Sequence, residues 1–357
     1  MTACDVCLRR TDLIVAVAGS IDIAWRERRG RTARVLAAPD EELLALDPSA
    51  PARYETFNAA FARRRIAAAG LTAVCRCASG YPQRLRELPD PPAVLHVAGS
   101  LAALPAAAAV AIVGSRRATS YGLEVSSALG RALSTAGVPV ISGMALGIDS
   151  AAHLGALDAA AAAPPVAVLA GGAETAYPAR MRHLHGRLIE AGAVVSEMPP
   201  GFGGHRWCFP ARNRIIAALS TLTIVVEAAT RSGSLITADL ATDLGRTVAA
   251  VPGPVTSRYS AGANELLHAG AAVIRDARDV LDLLFGADAP RLPDTQPLPP
   301  LDPAQRRLLA AVERGHGTVA ELARTMEEAQ AASRTLSELE LLGLVRREFG
   351  GRYVRCL

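Results

Sequence analysis

The chain has 357 residues, of which 50% are hydrophobic, and a formal net charge of +4. That length predicts about two or three domains, and every long apolar run is broken by Gly, Pro or charge, which excludes a predicted membrane span. All 38 basic residues are arginine, so a Walker-type lysine loop, a lysine Schiff base and a lysine general base are excluded.

The N-terminal stretch, MTACDVCLRR, lacks the apolar core of a signal peptide, so we expect a soluble cytoplasmic protein. It places Cys4 and Cys7 at a spacing that is typical of metal sites, and Cys75 and Cys77 offer a second pair. A four-thiolate zinc site and four unrelated thiols in a reducing cytosol both fit this pattern. No other cofactor is indicated, and a disulfide framework is not expected without a secretion signal.

Residues 1–70 are predicted to form a helical domain, because PDEELLAL and YETFNAAFARRRIAAAG repeat apolar residues at helical spacing. The proline-punctuated stretch that follows marks a change of unit. From residue 109 a short apolar run, a glycine turn and an amphipathic segment recur. The runs are AVAIV (109–113), VPVIS (138–142), VAVLA (166–170), AVVSE (193–197), LTIVVEA (222–228), TVAAV (247–251) and AVIR (272–275).

This alternation is typical of βαβ units, so residues 71–286 are predicted to form an α/β core with a parallel, doubly wound sheet. Ligands bind such sheets outside the carboxyl ends of the strands, and several polar turns fall on that edge. The turn at residues 114–117 lacks the G-x-G-x-x-G pattern, and no acid ends the second strand, which disfavours NAD. Its Arg116 and Arg117 instead suggest a phosphate clamp.

The segment HRWCFPARNR, residues 205–214, interleaves three arginines with two aromatic rings. No acid occurs between Glu197 and Glu227. A cationic groove with stacking rings is typical of single-stranded nucleic-acid binding. Trp207 has two open interpretations, a stacking ring or a core residue that anchors the loop. The segment ARNRIIAAL is predicted to begin a helix after Pro210, with its N-terminal end available to a phosphate.

No catalytic constellation stands out. His153 and Asp149 are four residues apart on one helical face, which favours a core or capping role over a catalytic dyad. Glu227 closes a buried strand and has two open roles, a catalytic group of a nucleotide hydrolase or an acceptor for turn amides. We therefore do not predict an enzyme.

Residues 287–300, ADAPRLPDTQPLPP, are predicted to be a Pro-rich linker. Residues 301–357 follow the order helix, short helix, helix and strand pair, which matches a winged helix. The third helix carries Arg334 but also Glu338 and Glu340. This charge balance favours a protein-contact or regulatory module over duplex DNA binding.

Five stretches together are similar to the DNA-processing protein A family (DprA, also called Smf). They are AIVGSRRATSYG, ISGMALGIDSAAHLGAL, FPARNRIIAALS, VVEAATRSGSLITADLA and AVPGPVTSRYSAGANELLHAGA. The resemblance implies an extended Rossmann-like core preceded by a small helical (SAM- or HhH-like) domain and followed by a winged helix. It also implies a non-enzymatic dimer that binds single-stranded DNA without sequence preference and loads the RecA recombinase in natural transformation.

Carried over by motif, Arg116 matches the phosphate-binding arginine and Phe209 the base-stacking aromatic. Arg206 stands where the family usually has a lysine. The resemblance places the dimer face near Leu266, Leu267 and Ile274. The predicted nucleic-acid contacts are Gly114, Ser115, Arg116, Arg117, Ser142, Gly143, Arg206, Phe209, Arg212, Asn213, Arg214, Ser232, Gly233 and Ser234.

A rival hypothesis is a nucleotide-processing enzyme on the same scaffold, with Glu227 and Arg231 in a phosphoribosyl pocket. The acid-free, ring-bearing segment 205–214 disfavours it, because a small-molecule pocket has no use for such a surface.

Overall fold

The computed structural model describes residues 3–27, 32–159, 163–290, 300–348 and 350–355. They belong to two compact units, Met1–Arg291 and Leu292–Leu357. Most of the predicted Pro-rich linker, residues 291–299, lies outside the described residues. Among the described residues, no helix has both the length and the apolar character that a membrane span requires.

In the described part of the N-terminal region, six short helices precede the sheet and belong to the same compact unit as the sheet. Their apolar side chains form a cluster that includes Leu13, Ile21 and Leu43. Trp207, which is distant in the sequence, also packs into this cluster. The N-terminal helices are therefore joined to the segment that carries the candidate site. They are α1 (Asp5–Ala16), α2 (Ala18–Glu27), α3 (Thr32–Ala37), α4 (Asp40–Leu44), α5 (Ala50–Glu55) and α6 (Ala59–Ala68).

The centre of the first unit is one nine-stranded sheet, mostly parallel, which confirms the predicted α/β fold class. Each of the seven predicted apolar runs contains one parallel strand, β3 to β9. The strands are β1 (Thr72–Cys75), β2 (Val94–Gly99), β3 (Val110–Val113), β4 (Val140–Ser142), β5 (Val166–Val168), β6 (Ala193–Ser196), β7 (Leu222–Val225), β8 (Thr247–Ala250) and β9 (Ala272–Val273).

The spatial order of the strands is β1-β2-β6-β5-β4-β3-β7-β8-β9. The chain steps outward from β3 to β6 on one side and from β7 to β9 on the other, so β3 and β7 flank the topological switch point. Strands β1 and β2 pair antiparallel with each other, and β2 pairs antiparallel with β6. The sequence analysis missed these two strands, because it interpreted the prolines between them, Pro82 to Pro92, only as a change of unit.

Two glycines let the helices behind β3 and β4 pack unusually close. A Cβ at Gly130 would lie 2.2 Å from the carbonyl oxygen of Ala152, and one at Gly155 would lie 2.0 Å from that of Ser127. Larger side chains at either glycine would force these helices apart. The helices of the core are α7 (Gln83–Arg86), α8 (Ser120–Thr135), α9 (Ile148–Asp158), α10 (Arg182–Ala191), α11 (Cys208–Leu219), α12 (Gly233–Asp243), α13 (Ala261–His268) and α14 (Ala277–Phe285).

The second unit has the predicted winged-helix order. Each of its three helices begins with a capping box in which the first polar side chain and a Glu or Gln three residues later exchange hydrogen bonds with the backbone. Its core contains Leu309, Leu336, Leu339 and Tyr353. The elements are α15 (Pro303–Glu313), α16 (Val319–Leu322), α17 (Met326–Leu341), β10 (Val345–Arg347) and β11 (Tyr353–Arg355).

Candidate functional site

Three side chains, two from loops and one from the first turn of α11, meet at the carboxyl edge of the sheet. The guanidinium carbon of Arg116 lies 5.5 Å from the centre of the Phe209 ring. The ring of Tyr177 lies 5.4 Å from that of Phe209, tilted by 51°. Arg116 and Tyr177 are exposed, and Phe209 is half-buried. We call Arg116, Tyr177 and Phe209 the ring cluster; it presents one cation and two aromatic rings to the surface.

Two further exposed arginines adjoin the ring cluster. Arg117 follows Arg116 in the chain, and the backbone N–H of Phe209 donates to the carbonyl of Arg206 over 3.4 Å. Arginine presents several N–H donors in a fork that matches phosphate oxygens. The arrangement therefore combines phosphate-binding and base-stacking groups on one surface.

In the turn after β3, two backbone N–H groups already donate hydrogen bonds within the protein. The N–H of Ser115 donates to the carbonyl of Glu227 over 2.7 Å, and the N–H of Arg117 donates to the hydroxyl of Ser115 over 3.1 Å. A Cβ at Gly114 would lie 2.6 Å from Cγ1 of Ile148. Gly114 thus permits close packing, and the turn offers a ligand its two exposed guanidinium groups rather than these two amides.

The prediction of nucleic-acid contacts is wrong for Ser142, Gly143 and Arg212. The hydroxyl of Ser142 is buried and donates to the carbonyl of Ile112 over 2.6 Å. The guanidinium of Arg212 is buried and donates to the carbonyls of Gly143 and Val168 over 2.8 and 2.5 Å. These bonds tie the turn after β4 to the end of β5, so the three residues shape the edge from within.

Burial lowers the pKa of Arg212 to about 10, so its guanidinium remains charged at neutral pH. The Coulomb attraction of the buried Asp149 carboxylate opposes this effect and favours the charged guanidinium. Asp149 also accepts hydrogen bonds from the N–H groups of Gly143 and Ala145 over 3.1 and 3.4 Å. It therefore organises the turn before α9. Its neighbour His153 is fully buried, and burial lowers the pKa of that imidazole to about 4.

The prediction that Arg214 contacts nucleic acid is also wrong. Its side chain is 5% exposed and lies in an ion-pair network, 2.8 Å from Asp90 and 2.8 Å from Glu197. Burial raises the pKa of Asp90 to about 6, against the opposing effect of the arginine. A guanidinium held by two buried carboxylates has no capacity for a phosphate. Arg214 joins α11 to the stretch before β2 and to the end of β6.

The turn before α12 meets α11 through Asn213, whose side-chain amide donates to the carbonyl of Gly233 over 3.2 Å. Ser232 is the N-cap of α12, and its hydroxyl accepts from the N–H of Ser234 over 3.4 Å. Asn213 and Ser232 are half-buried and Gly233 is exposed, whereas Ser234 is buried. A direct contact with nucleic acid stays a prediction for these four residues.

Trp207 is a core residue. It is fully buried, and its indole N–H donates to the carbonyl of Ala18 over 3.1 Å. Helix α11 begins at Cys208, earlier than predicted, with Pro210 in its first turn, where a backbone N–H has no helical partner to lose. Trp207 therefore fixes the start of α11 against the N-terminal helices and leaves Phe209 as the ring that faces outward.

Glu227 has a structural role in the described geometry. It is 2% exposed, and its carboxylate accepts from the N–H and the hydroxyl of Thr119 over 2.8 and 2.5 Å. Thr119 is the N-cap of α8. The interpretation of Glu227 as an acceptor for turn amides is confirmed, since both carboxylate oxygens fix the start of α8.

The predicted dimer residues divide into two groups. Ile274 is fully buried, and its N–H donates to the carbonyl of Ala250 over 3.0 Å, so its assignment to an interface is wrong. Leu266 and Leu267 are half-buried and pack against the core of the first unit. Neighbouring Val273 is 51% exposed.

The sequence analysis missed Tyr177, and one signal was available. Tyr177 lies in the loop after β5, and every such loop of a parallel sheet emerges at the same edge. It also missed the partners of Arg214. Glu197 stands directly after a strand and Asp90 stands between prolines, but nothing in the sequence links two acids so far apart to one arginine.

Comparison with known proteins gives two family matches. Residues 72–285 match the family described as DNA recombination-mediator protein A, and residues 292–351 match the DprA winged helix domain. A putative DNA processing protein DprA of Mycobacterium tuberculosis is 43% identical over 221 residues, which are 60% of this chain and 56% of that protein. Protein Smf of Synechocystis is 33% identical over 77% of this chain and 78% of its own length.

Solved structures of two DNA processing proteins are among those similar to this chain. DNA processing protein A of Streptococcus pneumoniae superposes with a TM-score of 0.64 at 29% identity, covering 80% of this chain and 99% of that one. A Helicobacter pylori structure, described by its single-stranded DNA binding mode, gives a TM-score of 0.54 at 28% identity, covering 60% and 95%. The matched segment thus spans little more than half of the Mycobacterium relative and nearly all of both solved chains.

Proposed function

The chain belongs to the DNA recombination-mediator protein A family, and on that premise we propose that it binds single-stranded DNA without sequence preference. We propose further that it delivers the bound strand to a RecA recombinase during natural transformation, as the resemblance of its motifs implies. The single-stranded DNA binding mode described for the similar Helicobacter protein supports the first step.

The observation that carries the proposal is the ring cluster. Arg116 lies over the face of Phe209, and Tyr177 lies against the same ring. Stacking of a base on an aromatic ring contributes about 1–3 kcal/mol whatever the base, because every base has a π-face. The neighbouring exposed arginines suit a phosphate backbone and carry no base information. Such a surface is expected to bind a single strand with an affinity that does not depend on its base sequence.

The experiment is a fluorescence-anisotropy titration of the full chain with labelled oligonucleotides. We expect similar affinities for poly-dT and mixed single strands, and weaker binding to a duplex of equal length. A RecA strand-exchange assay on DNA coated with single-strand-binding protein tests the second step, in which added chain is expected to raise the rate. Equal affinity for duplex and single strand would contradict the first step.

The rival, a nucleotide-processing enzyme, requires a phosphoribosyl pocket formed by Glu227 and Arg231, and a cavity of about 520 Å³ lies beside Glu227. Both oxygens of that carboxylate are already engaged by Thr119. Among the described residues, those that line the cavity are Thr119, Tyr121, Glu227, Pro252, Gly253, Pro254, Ser257 and Ser260, with no arginine for a phosphate. A nucleotide-hydrolysis assay beside the DNA titration separates the two functions, since turnover without DNA binding would reverse our proposal.

We also propose that the winged helix contacts a protein rather than duplex DNA. The exposed positions of α17 include Glu327, Glu328, Glu338 and Glu340, against the single cation Arg334. A helix that enters a DNA groove approaches phosphates on both sides, and four carboxylates there oppose that approach.

A further inference from the structure

Four cysteine side chains from two distant parts of the chain come together where the start of α1 meets the end of the outermost strand β1. The sulfur atoms of Cys4, Cys7, Cys75 and Cys77 all lie within 4.8 Å of one another. Each of the four is a free thiol in the structure. We call this group the cysteine cluster.

Two elements position the cysteine cluster. Cys4 is the N-cap of α1 and Cys7 lies in its first turn, so the Cys-x-x-Cys pair projects from the start of a helix. Cys75 is the last residue of the outermost strand β1, and Cys77 follows in the turn. The helix supplies one pair of sulfurs and the strand end supplies the other, and the Cys4–Cys7 pair has the spacing that is typical of structural zinc sites.

The sulfur positions fit a single tetrahedral ion. Zinc–sulfur bonds are about 2.3 Å long, so neighbouring sulfurs of a tetrahedral site lie about 3.8 Å apart. The sulfurs of Cys7 and Cys77 are 3.6 Å apart, and every other pair lies within 4.8 Å. A bridged iron–sulfur cluster places several atoms between its cysteines and requires wider spacing.

The surroundings also suit a closed structural site. Cys7 and Cys75 are 1% and 2% exposed, within an apolar cluster that includes Ala3, Leu8 and Leu71. The backbone N–H of Cys4 points at the sulfur of Cys75 over 3.5 Å, as outer hydrogen bonds to metal-bound thiolates do. Cys77 is exposed and leaves a path by which an ion can enter.

From these contacts we propose that the cysteine cluster binds one structural Zn²⁺ ion, which fastens α1 to the edge strand β1. Four protein sulfurs complete the coordination of the ion, leaving no position for a substrate. Four Zn–S bonds would link two elements that are about seventy residues apart in the chain. Because α1 also supplies Leu13 to the cluster around Trp207, the ion stabilises the whole N-terminal layer of the first unit.

The test is the metal content of the full-length chain, purified under reducing conditions without an affinity tag that binds metal. We expect about one zinc per chain by plasma mass spectrometry. Cys7→Ser and Cys77→Ser are each expected to lower that content severalfold and to lower Tm. Cys208→Ser is the matched control, because Cys208 is buried and lies outside the cysteine cluster; it is expected to retain the zinc.

Cobalt replacement in the wild-type chain keeps the test informative if a serine variant fails to fold. After zinc release by a mercurial and exchange, we expect the visible absorption of tetrahedral, thiolate-bound Co²⁺. A wild-type chain without stoichiometric zinc and without cobalt uptake overturns the proposal. So does stoichiometric iron with cluster absorption.

Discussion

Arg116 is the residue on which the proposed phosphate contact depends. Its exposed guanidinium lies over Phe209, and Arg116 belongs to a turn in which the amides of Ser115 and Arg117 already donate within the protein. Arg116→Ala is therefore expected to weaken single-strand binding roughly tenfold on every sequence, the loss of one charged hydrogen-bonding partner. The slope of log affinity against log salt is expected to become shallower by about 0.7, because one phosphate contact disappears.

Arg131→Ala is the control for this change. Arg131 is exposed near the far end of α8, roughly 15 Å along the helix from its start. Its removal also deletes one positive charge but is expected to leave affinity and salt slope nearly unchanged. Equal effects of the two variants would mean that Arg116 acts through net charge alone.

Phe209 and Trp207 are two residues apart, but replacing them with alanine is expected to change different quantities, DNA affinity for Phe209 and stability for Trp207. Phe209→Ala removes a half-buried ring and is expected to cost about 1–3 kcal/mol of DNA affinity. Trp207→Ala removes a fully buried ring with an internal hydrogen bond and is expected to cost about 3–5 kcal/mol of unfolding free energy. Urea denaturation and anisotropy titration measure the two quantities on each variant.

A Phe209→Ala protein that melts well below wild type yet binds DNA normally would show that this ring supports the fold and contacts no base. A Trp207→Ala protein that keeps its stability but loses DNA affinity would reverse the assignment of both rings.

At the scale of the element, α11 explains which residues the sequence analysis assigned correctly. Its helical period directs Phe209 and Asn213 toward the surface, while Ala211 and Arg214 face the interior. The sequence analysis treated residues 205–210 as a loop and so had no basis for separating these faces. Once the helix is known to begin at Cys208, the same ten residues divide into an outer and an inner set.

Residue type alone does not reveal which arginine binds a partner inside the protein. Arg206 and Arg214 occur in one short motif, but only Arg214 meets Asp90 and Glu197. Asp90 is 124 residues away in the chain, and its approach depends on the packing of α11 against the stretch before β2. Such pairing is a tertiary property, and periodicity carries no information about it.

Arg214→Ala is expected to destabilise the first unit by about 3–5 kcal/mol, because it leaves two buried carboxylates without a cation. Thermal unfolding and urea denaturation measure the loss. DNA affinity of the protein that remains folded is expected to stay near the wild-type value. Arg206→Ala is the converse control, since Arg206 is exposed: it is expected to weaken DNA binding and leave Tm unchanged.

For the whole molecule, the sequence predicts the parallel sheet and the winged helix well, because both rest on local signals. Seven apolar runs mark seven parallel strands, and three capping residues mark the helices of the second unit. Strands β1 and β2 were not predicted, since what identifies them is their antiparallel pairing near one edge of the sheet and not a local sequence signal. The association of the N-terminal helices with Trp207 likewise depends on contacts between distant segments.

The last prediction concerns assembly, which we propose to be a homodimer. Val273 is 51% exposed on β9, the outermost strand at its end of the sheet, and Leu283 on α14 is 45% exposed. Exposed apolar side chains at the end of the sheet suit association with a second copy of the chain, because association removes apolar surface from water.

Val273→Glu is expected to convert a dimer into a monomer at micromolar concentration, as measured by light scattering after gel filtration. The new carboxylate faces solvent in the monomer, so Tm is expected to change little, whereas in a dimer the charge would be buried without a partner. Val255→Glu is the matched control, since Val255 is 91% exposed in the loop after β8. A wild-type chain that is monomeric across the concentration range would contradict the dimer. If both variants dissociated the dimer equally, the interface would not lie specifically at β9.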